Sequence, residues 1–160
     1  MILVTVGTQL PFERLIQAID EFATKLPEPV FAQIGRSSYR PKNIEFCETM
    51  VPRLFETKFQ QASRIVSHAG TGSVLTAKRY GKPIILFPRR ADAGEHRNDH
   101  QLATCEQLEG RPGIFVAYDI PRLEHLLSND LPPVPQKAAD EPEDPYQELV
   151  NGLANFIDSK

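Results

Sequence analysis

At 160 residues, 41% apolar and 24% charged, the chain has the size and apolar content of one globular domain with a real core. A formal charge of -3, with both signs mixed along the sequence, offers no basic stripe and excludes nucleic acid as the expected partner. Cys47 and Cys105 are too few for a disulfide framework or a thiolate metal site. With no basic leader and no run near the roughly 20 apolar residues of a membrane span, the expectation is a cytoplasmic chain.

In chain order, the apolar run Ile2–Val6 reads as a strand that empties into Val6-Gly7-Thr8-Gln9. Phe12, Leu15, Ile16, Ile19, Phe22 and Leu26 then recur at helical spacing, with Pro11 at an early helix position, before a second strand at Val30–Ile34. A strand at Ile44–Cys47, a helix over Pro52–Gln61 and a strand at Arg64–Ser67 follow. The loop His68-Ala69-Gly70-Thr71-Gly72-Ser73 opens a helix over Gly72–Tyr80. The remaining elements are a strand at Ile84–Phe87, a helix over Arg97–Glu109, a strand at Ile114–Val116 and a helix over Asp119–Ser128. Most of these strands are too apolar to have a wet face, so the alternation predicts an α/β, Rossmann-like parallel sheet with helices on both faces. Residues 1–130 form that domain. Leu131 to Pro145 carries five prolines among charges and reads as an extended linker over 131–145. In 146–160 Tyr146, Leu149, Val150, Leu153, Phe156 and Ile157 make one apolar stripe on a terminal helix, which packs on its own sheet or on a partner.

Ligands of open α/β sheets sit beyond the carboxyl ends of the strands, where N–H groups at helix starts receive phosphate oxygens. The loops at Gly7-Thr8 and at 70–73 have that form. Gly70 and Gly72 permit close backbone approach, Thr71 and Ser73 add hydroxyls, and a tight structural turn is the competing reading. Leu75 stands where a dinucleotide fingerprint needs its third glycine, and Gly81-Lys82 runs into Pro83, so neither a dehydrogenase nor a P-loop signature is present. The stretch Pro88–Gln101 is dense in functional side chains: Arg89, Arg90 and Arg97 can offset ligand charge, while Asp99, His100 and Gln101 can bond sugar hydroxyls. His96, Asp99 and His100 fall at metal-ligand spacing but lack a fourth ligand, so no metal is expected. His68 ends a buried strand and reads either as a satisfied core residue or as a weak candidate base; His125, amid leucines, has no expected part.

The run Ile65 to Ser73, followed by Gly81-Lys82-Pro83 and Asn98-Asp99-His100-Gln101, resembles the C-terminal donor domain of glycosyltransferase family 28, and the opening Val4-Thr5-Val6-Gly7-Thr8 matches too. Within that family the likeness is to stand-alone donor subunits: the small subunit of the eukaryotic dolichol-linked N-acetylglucosaminyltransferase and bacterial exopolysaccharide subunits of the PssE type. Residues 94–101 favour the bacterial branch.

The resemblance implies one half of a GT-B fold. It also implies a UDP-sugar substrate, inverting transfer to a lipid-linked acceptor, no cofactor, and a membrane-associated acceptor subunit of the PssD type that recruits the chain to the inner membrane face. It implies that Gly7, Thr8, Gly70, Thr71, Gly72 and Ser73 hold the diphosphate and that His100 and Gln101 face the sugar. Thr76 stands where the family often has a ribose-binding glutamate, so Thr76, Glu95 or Asp99 makes that contact or the nucleotide preference differs. An accessory subunit without catalysis and a nucleotide-binding regulator are the competing functions.

Overall fold

The computed structural model describes residues 1–135. Its elements are β1 (Ile2–Thr5), α1 (Glu13–Phe22) running into a 3₁₀ turn (Ala23–Lys25), β2 (Val30–Gln33), β3 (Glu45–Cys47), α2 (Pro52–Gln61) and β4 (Arg64–Ser67). They continue with α3 (Thr71–Arg79), β5 (Ile84–Leu86), α4 (His100–Leu108), β6 (Ile114–Val116) and α5 (Ile120–Ser128). The strands form one six-stranded sheet in the order β3-β2-β1-β4-β5-β6, and every pairing is parallel. The predicted Rossmann-like α/β sheet is therefore the observed one.

Side chains alternate between the two faces of a strand, and here they separate two cores. Ile2, Val4, Val66, Ile85 and Phe87 pack with Leu15, Ile16 and Ile19 of α1 and Leu123, Leu126 and Leu127 of α5. Leu3, Ile65, Ile84 and Leu86 pack on the other face with Phe59 of α2, Val74 and Ala77 of α3, and Cys105 and Leu108 of α4. Helices on both faces explain why the central strands read as continuous apolar runs. β3 departs from the expected dry strand: it is the sheet edge, Glu45 is exposed and Cys47 is only partly buried.

Two buried charges tie elements together. Asp20, 2% exposed on the inner face of α1, accepts the Tyr39 hydroxyl at 2.7 Å and the Lys42 and Asn43 N–H groups at 3.0 and 2.7 Å, fastening the β2–β3 connection to the helix. Arg64, at the start of β4, donates to the carbonyls of Leu126 (3.1 Å) and Asn129 (2.8 Å), satisfying the end of α5, whose last carbonyls have no helical partner.

α4 begins at His100 instead of Arg97, because Asn98 Oδ1 takes the His100 N–H (3.1 Å) and Asp99 Oδ1 takes that of Ala91 (2.9 Å), holding 91–99 in turns. After α5, Leu131 packs on the α1/α5 core and Val134 lies against Gly113, so the linker expected from 131 starts on the domain surface. The rest of that linker and the helix expected over 146–160 lie outside the described residues.

Burial alone pushes the Asp20 carboxyl up, but the Tyr39 hydroxyl, the two N–H groups and the Lys42 charge outweigh it and the net direction is down. A depressed carboxyl stabilises the fold above its unfolded value near 3.9, and the contribution fades as pH falls through the folded value. Asp20→Asn should therefore cost about 2 kcal/mol at neutral pH in urea unfolding. The gap from the parent should close in acid, and a gap independent of pH would refute the ionised network.

Candidate functional site

All six strands point one way, so the loops leaving them share one edge. The chain moves to opposite sides of β1 for β2 and β4, which makes the gap between the β1 and β4 loops the topological switch point where such sheets take ligands. An open cleft of about 850 Å³ lies on this edge, between the β1 loop (Gln9, Leu10), the start of α3 (Gly70, Thr71) and the β5–α4 segment (Gly94 to Asn98, His100, Gln101).

The α3 wall presents a bare helix start. No side chain caps it, and the first helical bond is Val74 N–H to Gly70 O, so the N–H groups of Thr71, Gly72 and Ser73 precede the hydrogen-bonded turns. A Cβ built on Gly72 meets nothing within 4 Å, which leaves that face open to a ligand. Gly70 has a different reason to be glycine. Its Cβ would lie 2.2 Å from Cε1 of His68, and one on Gly7, at φ +77°, would lie 3.0 Å from Nε2 of the same ring. These two glycines make room for the imidazole between the loops, and Gly70 also lines the cleft.

His68 belongs to a network that joins three loops. Gln101 Oε1 accepts N–H bonds from Ala69 (3.2 Å) and Arg89 (2.9 Å), which leaves its amide nitrogen to donate to His68 Nδ1 at 3.3 Å. That order puts the imidazole proton on Nε2. Burial, then the Arg89 and His96 charges, lower the His68 pKa to about 4, so the ring is neutral at physiological pH and a poor base.

Several side chains expected to meet ligand have other partners. Arg89 is 2% exposed, and its guanidinium donates to the carbonyls of Val6 (2.5 Å), Leu10 (2.8 Å) and Pro11 (2.6 Å); it cannot reach the cleft. Gln101 lines the cleft, but its oxygen is occupied by two N–H groups. Glu95 is gripped by Arg14 at 2.6 and 2.9 Å while accepting the Arg90 N–H, so both its oxygens are engaged, whereas exposed Asp99 holds the Ala91 N–H through Oδ1. Arg90 pairs with Asp92. The Thr76 hydroxyl donates to Gly72 O at 2.8 Å. Of the remaining expected residues, Thr71, Arg97 and His100 line the cleft, while Thr8 is exposed on the β1 loop and Ser73 sits in the first turn of α3. Gln9 and Asn98, from the two quoted motifs, line it as well, and Leu10 and Thr104 line it without having been singled out. Among the described residues, no three His, Cys, Asp or Glu side chains gather as a metal site, and no helix is long and apolar enough to cross a membrane.

Gln33 also went unnoticed. Its Nε2 donates to Gly7 O (3.0 Å) and Glu48 O (2.9 Å), and its oxygen accepts the Thr5 hydroxyl, joining the β1 and β3 loops. A lone glutamine in the apolar run Val30–Ile34 was the available signal.

Residues 1–141 match the model of the glycosyltransferase family 28 C-terminal domain. A UDP-N-acetylglucosamine transferase subunit, ALG13, of Yarrowia lipolytica is 30% identical over 133 aligned residues, covering 74% of this chain and 65% of that protein. The chain thus spans slightly under two thirds of that relative. Among solved structures, the calicheamicin glycosyltransferase CalG4 superposes with a TM-score of 0.58 at 20% identity, over 79% of this chain and 33% of that one. The solution structure of ALG13 gives 0.52 at 17%, over 80% and 94%. The shared fold is the Rossmann-like half of GT-B glycosyltransferases.

Gly70→Ala drives a methyl into the His68 ring and should destabilise the domain by about 1–3 kcal/mol. Gly72→Ala, in open space on a helix, should be neutral or stabilising by up to about 1 kcal/mol. Denaturant unfolding separates them, and equal effects would mean that the ring does not fill the gap.

Because the neutral imidazole is favoured on folding, the His68 contribution is present above its unfolded value near 6.5 and is lost as pH falls towards 4. Its NMR resonances should titrate near 4. A midpoint near 6.5 would put the ring in water.

Proposed function

The chain belongs to the glycosyltransferase family 28 C-terminal domain family, and from that premise we propose that it is the donor-binding subunit of a two-component inverting glycosyltransferase. The substrate is a UDP-sugar and the acceptor is lipid-linked. The observation that carries the reading is the uncapped start of α3 at the cleft wall formed by Gly70 and Thr71, where the N–H groups of Thr71, Gly72 and Ser73 precede the hydrogen-bonded turns and nothing lies within 4 Å of a Gly72 Cβ. N–H donors and the positive end of the helix dipole suit a diphosphate.

Transfer begins when a base takes the proton of the acceptor hydroxyl, whose oxygen attacks the anomeric carbon as the bond to UDP breaks. Negative charge then grows on the departing diphosphate. This subunit stabilises that charge with preorganised N–H groups, and with Arg97, which is exposed beside the cleft and has no partner among the described residues. No metal is assigned to the task. The base belongs to the partner, since the neutral, low-pKa His68 is a poor one.

The exposed large apolar side chains support a partner on this edge. Leu10 (41% exposed), Val51 (67%), Leu54 (40%), Tyr118 (36%) and Ile120 (39%) all follow the carboxyl end of a strand, in the β1 loop, at the start of α2 and beside the start of α5. Spread from the β3 end to the β6 end of that edge, they suit a broad interaction surface better than a single deep contact. The partner is a membrane-associated acceptor subunit of the PssD type in polysaccharide synthesis, which brings this cytoplasmic chain to the inner membrane face.

Calorimetry with a panel of UDP-sugars, using each subunit alone and the two together, tests the proposal. Sugar-selective binding that strengthens in the complex is expected, and Gly72→Asp, which sets a carboxylate against the phosphate, should abolish it without unfolding the chain. Absence of UDP binding in either state would leave the accessory role as the better reading.

A further inference from the structure

Arg89 is a buried cation without a carboxylate partner: its guanidinium donates only to main-chain carbonyls, those of Val6, Leu10 and Pro11, and lies 4.8 Å from the centre of the Phe12 ring. All three acceptors belong to the β1 loop. The Arg89 N–H joins the Ala69 N–H on Gln101 Oε1, so the same residue links the β1 loop to the loop before α3.

Peptide planarity gives this clamp a direction. In a trans peptide the C=O and the next N–H point opposite ways, so fixing the Val6 carbonyl on Arg89 turns the Gly7 N–H away from it. Gln33 fixes the Gly7 carbonyl in the same way and turns the Thr8 N–H. The N–H groups of Gly7, Thr8 and Gln9 have no acceptor among the described residues. A loop whose carbonyls are tied inward and whose successive N–H groups are left over is an anion cradle.

We infer that Arg89 is the positioning residue of this cradle: it shapes the β1 loop so that its N–H groups receive the ligand's phosphate, while its own guanidinium never touches that phosphate. The inference rests on the donor-subunit reading for the identity of the ligand, though not for the shape of the loop. Buried positive charge near the cleft adds long-range attraction for an anion, and a lysine keeps the charge without the fork that spans three carbonyls.

The test is Arg89→Lys, read by amide chemical shifts in NMR and by UDP calorimetry, with Asp20→Asn as a destabilised variant remote from the cleft. The amide resonances of residues 7–10 should move while those of residues 72–79 of α3 stay as in the parent, and UDP affinity should fall more than tenfold. Asp20→Asn should leave affinity unchanged. Parent-like affinity or unmoved resonances at 7–10 in the lysine variant overturns the inference. If the parent itself binds no UDP, the donor reading fails, and the NMR result still decides whether Arg89 shapes the loop. Should the lysine variant not fold, UDP titrated into the labelled parent must shift the Gly7 to Gln9 amides more than the Arg89 guanidinium resonances. The reverse order would mean direct contact and would overturn the assignment.

Discussion

The Gln101 side chain holds the functional edge of the sheet together. One carboxamide oxygen gathers the N–H groups of Ala69 and Arg89, and the nitrogen beside it orders the His68 ring. Through Arg89 the same set of bonds reaches the β1 loop, and through Gln33 it reaches the loop after β3. Loops are ordinarily the mobile part of an α/β domain, but here buried side-chain donors hold those around the switch point. A preformed wall of N–H groups needs little rearrangement when charge develops beside it, and that economy is what electrostatic stabilisation of a leaving group requires.

The β5–α4 segment is held by a second device. Glu95 is clasped by Arg14, whose guanidinium also lies 4.3 Å from the centre of the Phe87 ring and donates to Pro88 O. The pair is partly buried, with side chains 26% and 9% exposed, so it is less screened than an ordinary surface ion pair. The charges densest in sequence along this segment thus act largely inward, while Arg97 remains outward.

The sheet was legible because its evidence is local. Apolar runs such as Ile2–Val6 and Val30–Ile34 are bounded by turn residues, and a helical stripe, Leu15-Ile16-Ile19, separates them. What stayed hidden depends on residues far apart in the chain. Nothing around Gly70 shows that His68 turns its ring back over it, and the Arg89 acceptors lie near the other end of the domain's first strand. A motif counts polar groups near a ligand; only the fold tells which are already bonded to the protein. Asp20 and Gln33 were detectable as polar residues inside apolar patterns, although their partners were not.

β1 occupies the middle of the sheet, yet it leaves the ribosome before the other five strands. β2 and β3 arrive soon after and cover one side, whereas the other edge waits for residue 64, the partner of Ile2. Until then a bare, apolar strand edge is available to any other extended chain. Distant parallel pairing is slow to form, and synthesis proceeds from the amino end. Nascent chains of this protein therefore pass through an aggregation-prone interval before β4, β5 and β6 exist. Pairing of β4 with β1 ends that interval, and Arg64, at the start of β4, later catches the end of α5.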